Sequence, residues 1–449
     1  MKLKPIRVVI ALLVLVLPLG AWRMYLAHVI NEQLAEIRAG GLPVNGEELN
    51  RWYAAVPDNQ NAALVLTRAF EFRRVYPDSR SNLIFNFKLP KRGETLSPEQ
   101  AELLKGYIAI NETRLKKADE ALKLPASRYP IDCSQLMNTL LPHLAWLDEI
   151  AELHQFAAVL ALESDSASSA SSNIVTMLAL ARTLDHEPLL VSQLARLKLV
   201  KLAFSTFERR ASAGAFSSVE VANLAAAFGQ THTTNKGARA LIGERAMTIP
   251  YFRMTRAEAA RINPPKDRDD SRKDSPVPYN GPAILKLIGY YELDYGSYLI
   301  AMNKAIALMS NSPPDNLRAS GYLGRVGEAS TERQRTLSGL FLSAYAGIPW
   351  RENEGTANQR LALAALAVES FRNETGRPPE SLEELAPKFF KEVPEDPFTG
   401  LELKYRRTER GYVIYSVGPD RADNGGLGKA DKKQSDDKQS YDITFTVER

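Results

Sequence analysis

A chain of 449 residues with 45% hydrophobic and 24% charged residues has the make-up of a globular protein, and its length exceeds one compact core, so two or more domains are expected. A net charge of +4 over this length, with no Lys/Arg cluster interleaved with aromatics, argues against a nucleic-acid partner. A single cysteine, Cys133, excludes an intramolecular disulfide and a thiolate metal cluster.

The chain opens on Lys2, Lys4 and Arg7, followed by an apolar run from Val8 to Trp22. A basic flank before an apolar run directs a chain across a membrane with its C-terminus outside. As an uncleaved anchor, fifteen residues give about 22 Å against roughly 30 Å of hydrocarbon. Extension over 8–30 supplies the length and requires Arg23 to snorkel. As a secretory signal, the run suits an apolar core with a cleavage site near Pro18-Leu19-Gly20-Ala21. Either reading places the bulk of the chain beyond a bacterial inner membrane: single-pass with a periplasmic C-terminal bulk, or released to the periplasm.

Helical patterns then follow one another. Leu26 to Ala39 continues the first helix until Gly40-Gly41. Leu49 to Phe72 has helical spacing interrupted by Pro57, and Tyr76 to Arg92 reads mostly as loop. Ser97-Pro98-Glu99-Gln100 is a capping box that opens a helix striped by Leu104, Tyr107, Ile108, Leu115, Ala118 and Leu122. Leu136 to Glu163 is a long apolar helix kinked or restarted at Pro142. A Ser/Ala turn, Ser164 to Ser172, leads into Ile174 to Leu184. Glu187-Pro188 starts a helix with Leu190, Leu194, Leu197 and Phe204 on one face and Arg196 and Lys201 on another. Ser217 to Glu220 is a second capping box, and Gly229 ends that helix. Helix, short turn, helix is the pattern of an α-helical array or bundle, and no repeat period is present. Residues 261–282 are expected to form a mobile loop. Leu285 to Met309 and Thr336 to Tyr345 return to helix. The stripe Tyr291, Tyr295, Tyr298 reads as packing with hydroxyls at the rim, or as a glycan-facing surface.

The last part changes period. Ala357 to Asn373 is an Ala/Leu-rich helix ended by Gly376, and Ser381 to Glu384 is a third capping box before a short helix. Leu401, Leu403 and Tyr405 alternate with polar residues; Tyr412 to Tyr415 and Ile443, Phe445, Val447 follow, giving three strands of an antiparallel sheet. The order of this helix, Gly376-Arg377-Pro378-Pro379, Asp396-Pro397-Phe398-Thr399-Gly400, Tyr415-Ser416-Val417-Gly418-Pro419-Asp420 and Gly425-Gly426 resembles the periplasmic part of the major pseudopilin of type II secretion systems. The resemblance covers roughly 357–449 and implies a helix packed on a small antiparallel sheet and a calcium-binding loop. The chain departs from that family in lacking the leader that runs directly into the long helix, and in the insertion Lys429 to Ser440. The whole arrangement resembles bacterial single-span envelope proteins, a likeness that supplies no activity.

Calcium takes six to eight hard oxygens, which loops rich in Asp, Asn and Gly supply. Asp420, Asp423, Asn424 and Asp442 converge if Gly425 and Gly426 turn the chain back, and Ser416 adds a hydroxyl. Asp431, Asp436 and Asp437 alternate with lysines in the insertion, which also fits a solvated charged loop. Elsewhere, Cys133 is a nucleophile or a small packed residue; His143 and His154 are too far apart along one helix for a shared metal; His186 sits at a helix junction; Asp148 and Glu152 form a carboxylate pair or a solvated face. No phosphate loop, dinucleotide fingerprint, nucleophile elbow or zincin motif occurs.

The expected fold is mainly α: an N-terminal membrane helix or signal over 1–30, an α-helical array or bundle over 31–350, and a small C-terminal α+β domain over 351–449. The expected function is a non-enzymatic membrane-tethered scaffold with an envelope protein partner. An envelope hydrolase with acids in a helical groove is the alternative.

Overall fold

The computed structural model describes residues 4–164, 166–231, 235–254, 258, 283–428 and 441–449; the side chains of 4–13, 15 and 283 also lie outside the description. The loop expected over 261–282 and the inserted Asp431, Asp436 and Asp437 therefore fall outside it. The described chain is mainly helical, with one three-stranded antiparallel sheet.

The helices are α1 (Lys4–Ala39), α2 (Gly46–Trp52), α3 (Ala62–Phe70), α4 (Arg80–Phe85), α5 (Pro98–Ile110), α6 (Glu112–Ala121), α7 (Pro142–Glu163), α8 (Ala167–Arg182), α9 (Leu190–Ser212), α10 (Ser218–Gly229) and α11 (Lys236–Thr248). They continue with α12 (Ala283–Leu287), α13 (Tyr290–Met309), α14 (Arg318–Glu332), α15 (Thr336–Tyr345) and α16 (Ile348–Thr375). The strands are β1 (Lys404–Thr408), β2 (Gly411–Ser416) and β3 (Ile443–Glu448), in the order β1-β2-β3. Thr408 pairs with Gly411 across a two-residue turn, and Ser416 pairs with Ile443.

Local sequence chemistry explains most boundaries. Ser97 and Ser217 each cap their helix reciprocally with Gln100 and Glu220. Pro142 restarts the chain as α7, and Gly376 closes α16 with φ +78°. Other boundaries depart from expectation. The stripe from Leu104 to Leu122 is two helices, because Asn111 breaks it. Its buried amide accepts the Arg74 N–H at 3.0 Å and donates to the carbonyls of Arg74 and Tyr107, both at 3.0 Å. Residues 80–85 form a short helix inside the expected loop, and α8 begins within the Ser/Ala stretch. Leu285 to Met309 divides at Gly289. The third capping box yields only a single turn, Glu383–Leu385.

Two large cores hold the molecule. One gathers α3, α6, α7 to α10, α16 and the sheet; the other gathers the second half of α1 with α2, α11 and α13 to α15. α4 and α5 rest on α7 through a smaller cluster around Leu104 and Phe156. The boundary expected at residue 351 lies in the first turn of α16, and the sheet shares its core with the helices. Among the described residues no helix is long and apolar enough to cross a membrane.

α9 buries Phe204 of the expected apolar face together with Arg196 of the expected polar one, and Lys201 is exposed. Leu194 is exposed, while Arg196 and Arg210 are buried. The Arg196 Nε donates to Gln193 Oε1 at 2.8 Å, and Gln193 donates to the carbonyls of Leu184 and Glu187, each at 2.8 Å. Arg210 holds the turn into α10 through the carbonyls of Gly214 (3.1 Å) and Ala215 (2.9 Å) and through Glu220 (2.9 Å). α9 also reaches the sheet: Glu208 and Ser212 accept the β3 amides of Thr446 (2.7 Å) and Glu448 (3.3 Å).

α16 lies between helices and sheet, and several of its buried polar side chains reach across to them. Glu352 accepts the Gly237 N–H at 2.9 Å; Asn353 donates to the Pro397 carbonyl at 2.7 Å; Gln359 donates to the Phe228 carbonyl at 3.0 Å. Glu369, fully buried, accepts from Tyr412 Oη at 2.9 Å and pairs with Arg449 at 2.9 Å. Tyr412→Phe deletes one charge-assisted bond and leaves the buried carboxylate one donor short. Urea unfolding is expected to register a loss of about 1.5–3 kcal/mol.

Burial pushes the Glu352 carboxyl up to about 7, against the opposing pull of Arg196 and the amides of Gly237 and Lys236. A carboxyl raised in the folded state binds its proton more tightly there than in the unfolded chain. Its contribution to stability is therefore full below pH 4.5 and is lost as the pH rises to about 7. Stability measured across that window is expected to fall by roughly 3 kcal/mol from this group, and Glu352→Gln is expected to flatten that part of the profile.

Candidate functional site

The C-terminal loop is built on the end of β2 and the start of β3. Gly418 leaves the sheet with φ +71°, and a side chain there would meet the Tyr441 carbonyl at 2.8 Å. Gly425 and Gly426 adopt φ +70° and +80°, which turns the chain back. The Asp442 N–H then donates to the Leu427 carbonyl at 2.9 Å, closing the loop at its base.

Three of the five expected site residues adjoin. Asp442, buried, accepts the Asn424 N–H at 3.2 Å on Oδ1 and the Gly426 N–H at 2.7 Å on Oδ2. Asp420 accepts the Asn424 side-chain amide at 3.0 Å and the Ala422 N–H at 3.1 Å. Asp423 turns elsewhere, accepting the Gly425 N–H at 2.9 Å and Tyr415 Oη at 3.1 Å and facing Lys404 at 3.4 Å. Ser416, buried, accepts the Gly418 N–H at 3.2 Å. Burial raises the Asp442 carboxyl above its usual range. The Gly425 amide holds Asp423 below its own, and burial beside Asp423 pushes the Tyr415 hydroxyl up to about 12.

The donor chemistry suits a hard cation, because the loop presents carboxylates and an amide within one turn. The arrangement is that of a loop closed on its own N–H groups. Among the described residues no three Asp, Glu, His or Cys side chains group as a metal site. The residue that sequence reasoning left without a role is Asp396. It is buried, accepts its own turn's Phe398 N–H at 2.8 Å on Oδ1, and takes the Val417 N–H at 2.7 Å on Oδ2. It thereby ties the Asp-Pro turn to the start of the loop. An Asp-Pro-Phe segment carries the signal for such an Asx turn; the long-range bond has no local signature.

The other candidates resolve into packing. Cys133 is buried against the second core, and burial pushes its thiol up to about 12, away from nucleophilic use. His143 and Glu187 are buried 3.0 Å apart; Ser192 donates to the same carboxylate at 2.5 Å, and Tyr129 stacks on the imidazole at 4.1 Å. The carboxylate is the centre of this cluster: the imidazole and the serine hydroxyl both bond to Glu187. His154 bonds Asn173 at 2.8 Å, and His186 sits at the junction where its carbonyl accepts from Arg239 at 3.0 Å. Asp148 is ion-paired with Lys198, and burial, with Asp148 nearby, raises Glu152. The tyrosine stripe is buried; Tyr295 and Tyr298 pack on Phe252 at 5.1 and 5.0 Å, with their hydroxyls inside the protein and not at a rim.

A cleft of about 400 Å³ between α8 and α10 is lined by Ser171, Ser172, Arg182, Ser217 and Glu220. Burial alone would raise Glu220, but the Ser217 amide, Arg210 and Ser171 bring it down to about 2. A second cleft beside β1 holds Glu383 and Asp423, whose carboxyls are also held low. Comparison with family models, with curated proteins and with solved structures gave no match.

Proposed function

We propose that the chain is a membrane-tethered extracytoplasmic helical scaffold that presents its surface to an envelope protein partner. The observation that carries this reading is α1. One unbroken helix from Lys4 to Ala39 contains the apolar run and then packs Ile30, Leu34 and Ile37 into the second core, with Leu26 also buried. Of that run, the side chains of 8–13 and 15 lie outside the described residues; Val14, Val16 and Leu17 are exposed. An apolar rod rooted in the body is what an uncleaved tether needs, and its basic flank orients the body outside. A role in secretion or envelope assembly rests on the pseudopilin resemblance. For the hydrolase reading, the clefts offer Glu220, Glu383 and Asp423, ionised acids where a general acid needs a raised pKa.

Expressed in a bacterium, the full chain is expected to stay with the inner membrane through an alkaline carbonate wash. It should keep its intact mass and be digested by protease added to spheroplasts. A soluble product starting near Trp22, or complete protection from that protease, would overturn the reading.

Calcium at the C-terminal loop forms the second part of the proposal. It is supported by the donor chemistry and by the adjacency of Asp420, Asn424 and Asp442. Thermal unfolding of the full chain in detergent tests it. Calcium at 100 times its dissociation constant stabilises a protein by about 2.7 kcal/mol, so the midpoint is expected to rise by several degrees over that in chelator. Asp420→Ala is expected to abolish the rise. Equal midpoints with calcium and with chelator would make the loop a metal-free latch.

A further inference from the structure

The tether leaves a problem of length. At about 1.5 Å per residue, crossing roughly 30 Å of hydrocarbon takes about twenty residues, so a span that starts at Val8 reaches Ala27. Trp22, Arg23, Met24 and Tyr25 then lie within the outer part of the bilayer, and so does whatever is fastened to them.

What is fastened to them is α12. The Trp22 indole donates to the Ile288 carbonyl at 2.9 Å, and Arg23 donates to the Lys286 carbonyl and pairs with Glu292 at 2.6 Å. Gly289 makes the approach possible: it adopts φ +78°, and a side chain there would meet Leu26 at 2.7 Å and Arg23 at 3.1 Å. α12 is thus fixed level with the turn Trp22–Tyr25. Both present apolar surface outward. Met24 is 76% exposed and Tyr25 57%, and on α12 Ile284 is 58% and Leu287 57% exposed. Trp22 and Tyr25 are stacked, 5.8 Å between ring centres. The patch is continuous along α1 with exposed Val14, Val16 and Leu17. The only charge that α1 carries into this zone, Arg23, is neutralised by Glu292, so it enters the interface paired.

We infer that α12 and the turn Trp22–Tyr25 form an interfacial collar that sinks into the outer leaflet of the lipid bilayer around the base of the tether. This rests on the membrane-tether reading and adds to it a second, monotopic contact. Aromatic residues at the acyl–headgroup boundary and a short helix lying flat with its apolar side down are the features such a contact uses. It supplies the thickness that the run 8–22 lacks, and it fixes the orientation of the body above the membrane.

Spin labels on the full chain in phosphatidylethanolamine/phosphatidylglycerol vesicles test it. Single cysteines are placed at Leu17→Cys, Ile284→Cys, Leu287→Cys and, as an aqueous reference, Val219→Cys, all exposed positions. Native Cys133 is buried and stays in place. Leu17→Cys is expected to collide with oxygen and exclude a nickel chelate. Ile284→Cys and Leu287→Cys are expected to show an oxygen-to-nickel ratio several-fold above that of Val219→Cys. Gly289→Ala should return Ile284→Cys toward the reference while leaving Leu17→Cys unchanged. A reference-like ratio at 284 and 287, with Leu17→Cys in hydrocarbon, overturns the collar alone. A reference-like ratio at Leu17→Cys overturns the tether and the collar with it. Spin–spin broadening at 284, with both reagents excluded, means that a second copy covers the patch and overturns the lipid contact.

Discussion

A helix of 28 residues with almost no solvent-facing side is the constraint on which this fold depends. α16 touches water mainly through Arg351 and its last turn. A helix buried all round needs apolar neighbours on each side, and every polar group it carries must meet a partner there. Its alanines, Ala357, Ala362, Ala364, Ala365 and Ala367, let α9, α10 and the sheet approach closely. Its polar residues meet the Gly237 amide, the carbonyls of Phe228 and Pro397, Tyr412 and Arg449. The sheet is therefore part of the wall that encloses α16, and the helical array is the opposite wall.

The same accounting governs α9. Arg210 carries its charge into the interior where carbonyls of Ala167, Gly214 and Ala215 accept from it, and Arg196 is held inside by Gln193 and Asp185. A buried guanidinium with five donors can satisfy several such carbonyls and still hold a carboxylate. The turns on either side of α9 are thus held by specific side chains and not only by apolar contact.

How much was legible in the sequence follows from how local each cause is. The caps at Ser97 and Ser217, the stops at Gly41 and Gly376, the restart at Pro142 and the alternation of β3 have causes within four residues, and all are readable; β1 starts only at Lys404, past the exposed Leu401, and β2 is buried on both faces. The division at Asn111 was not, because its amide is drawn off by Arg74, far away in sequence. On α9 the apolar spacing marks Phe204 as buried and gives no sign of Arg196, whose place inside is set by Gln193 and Asp185. In the C-terminal loop, the glycines announced the turn and the acids announced its polarity. Which of those acids would meet was set by backbone amides. Asp396 joins two turns: its motif announces the bond to Phe398, and nothing local announces the one to Val417.

The contacts between α9 and β3 bear on assembly. β3 ends the sheet, and an end strand normally offers a row of unpaired amides to which another chain can add. Here Glu208 and Ser212 occupy two of those amides, and the Arg449 side chain donates to the Ala211 carbonyl at 2.7 Å. That margin is closed to strand addition. A fibre or a complex built by extending this sheet has one direction of growth available, past β1.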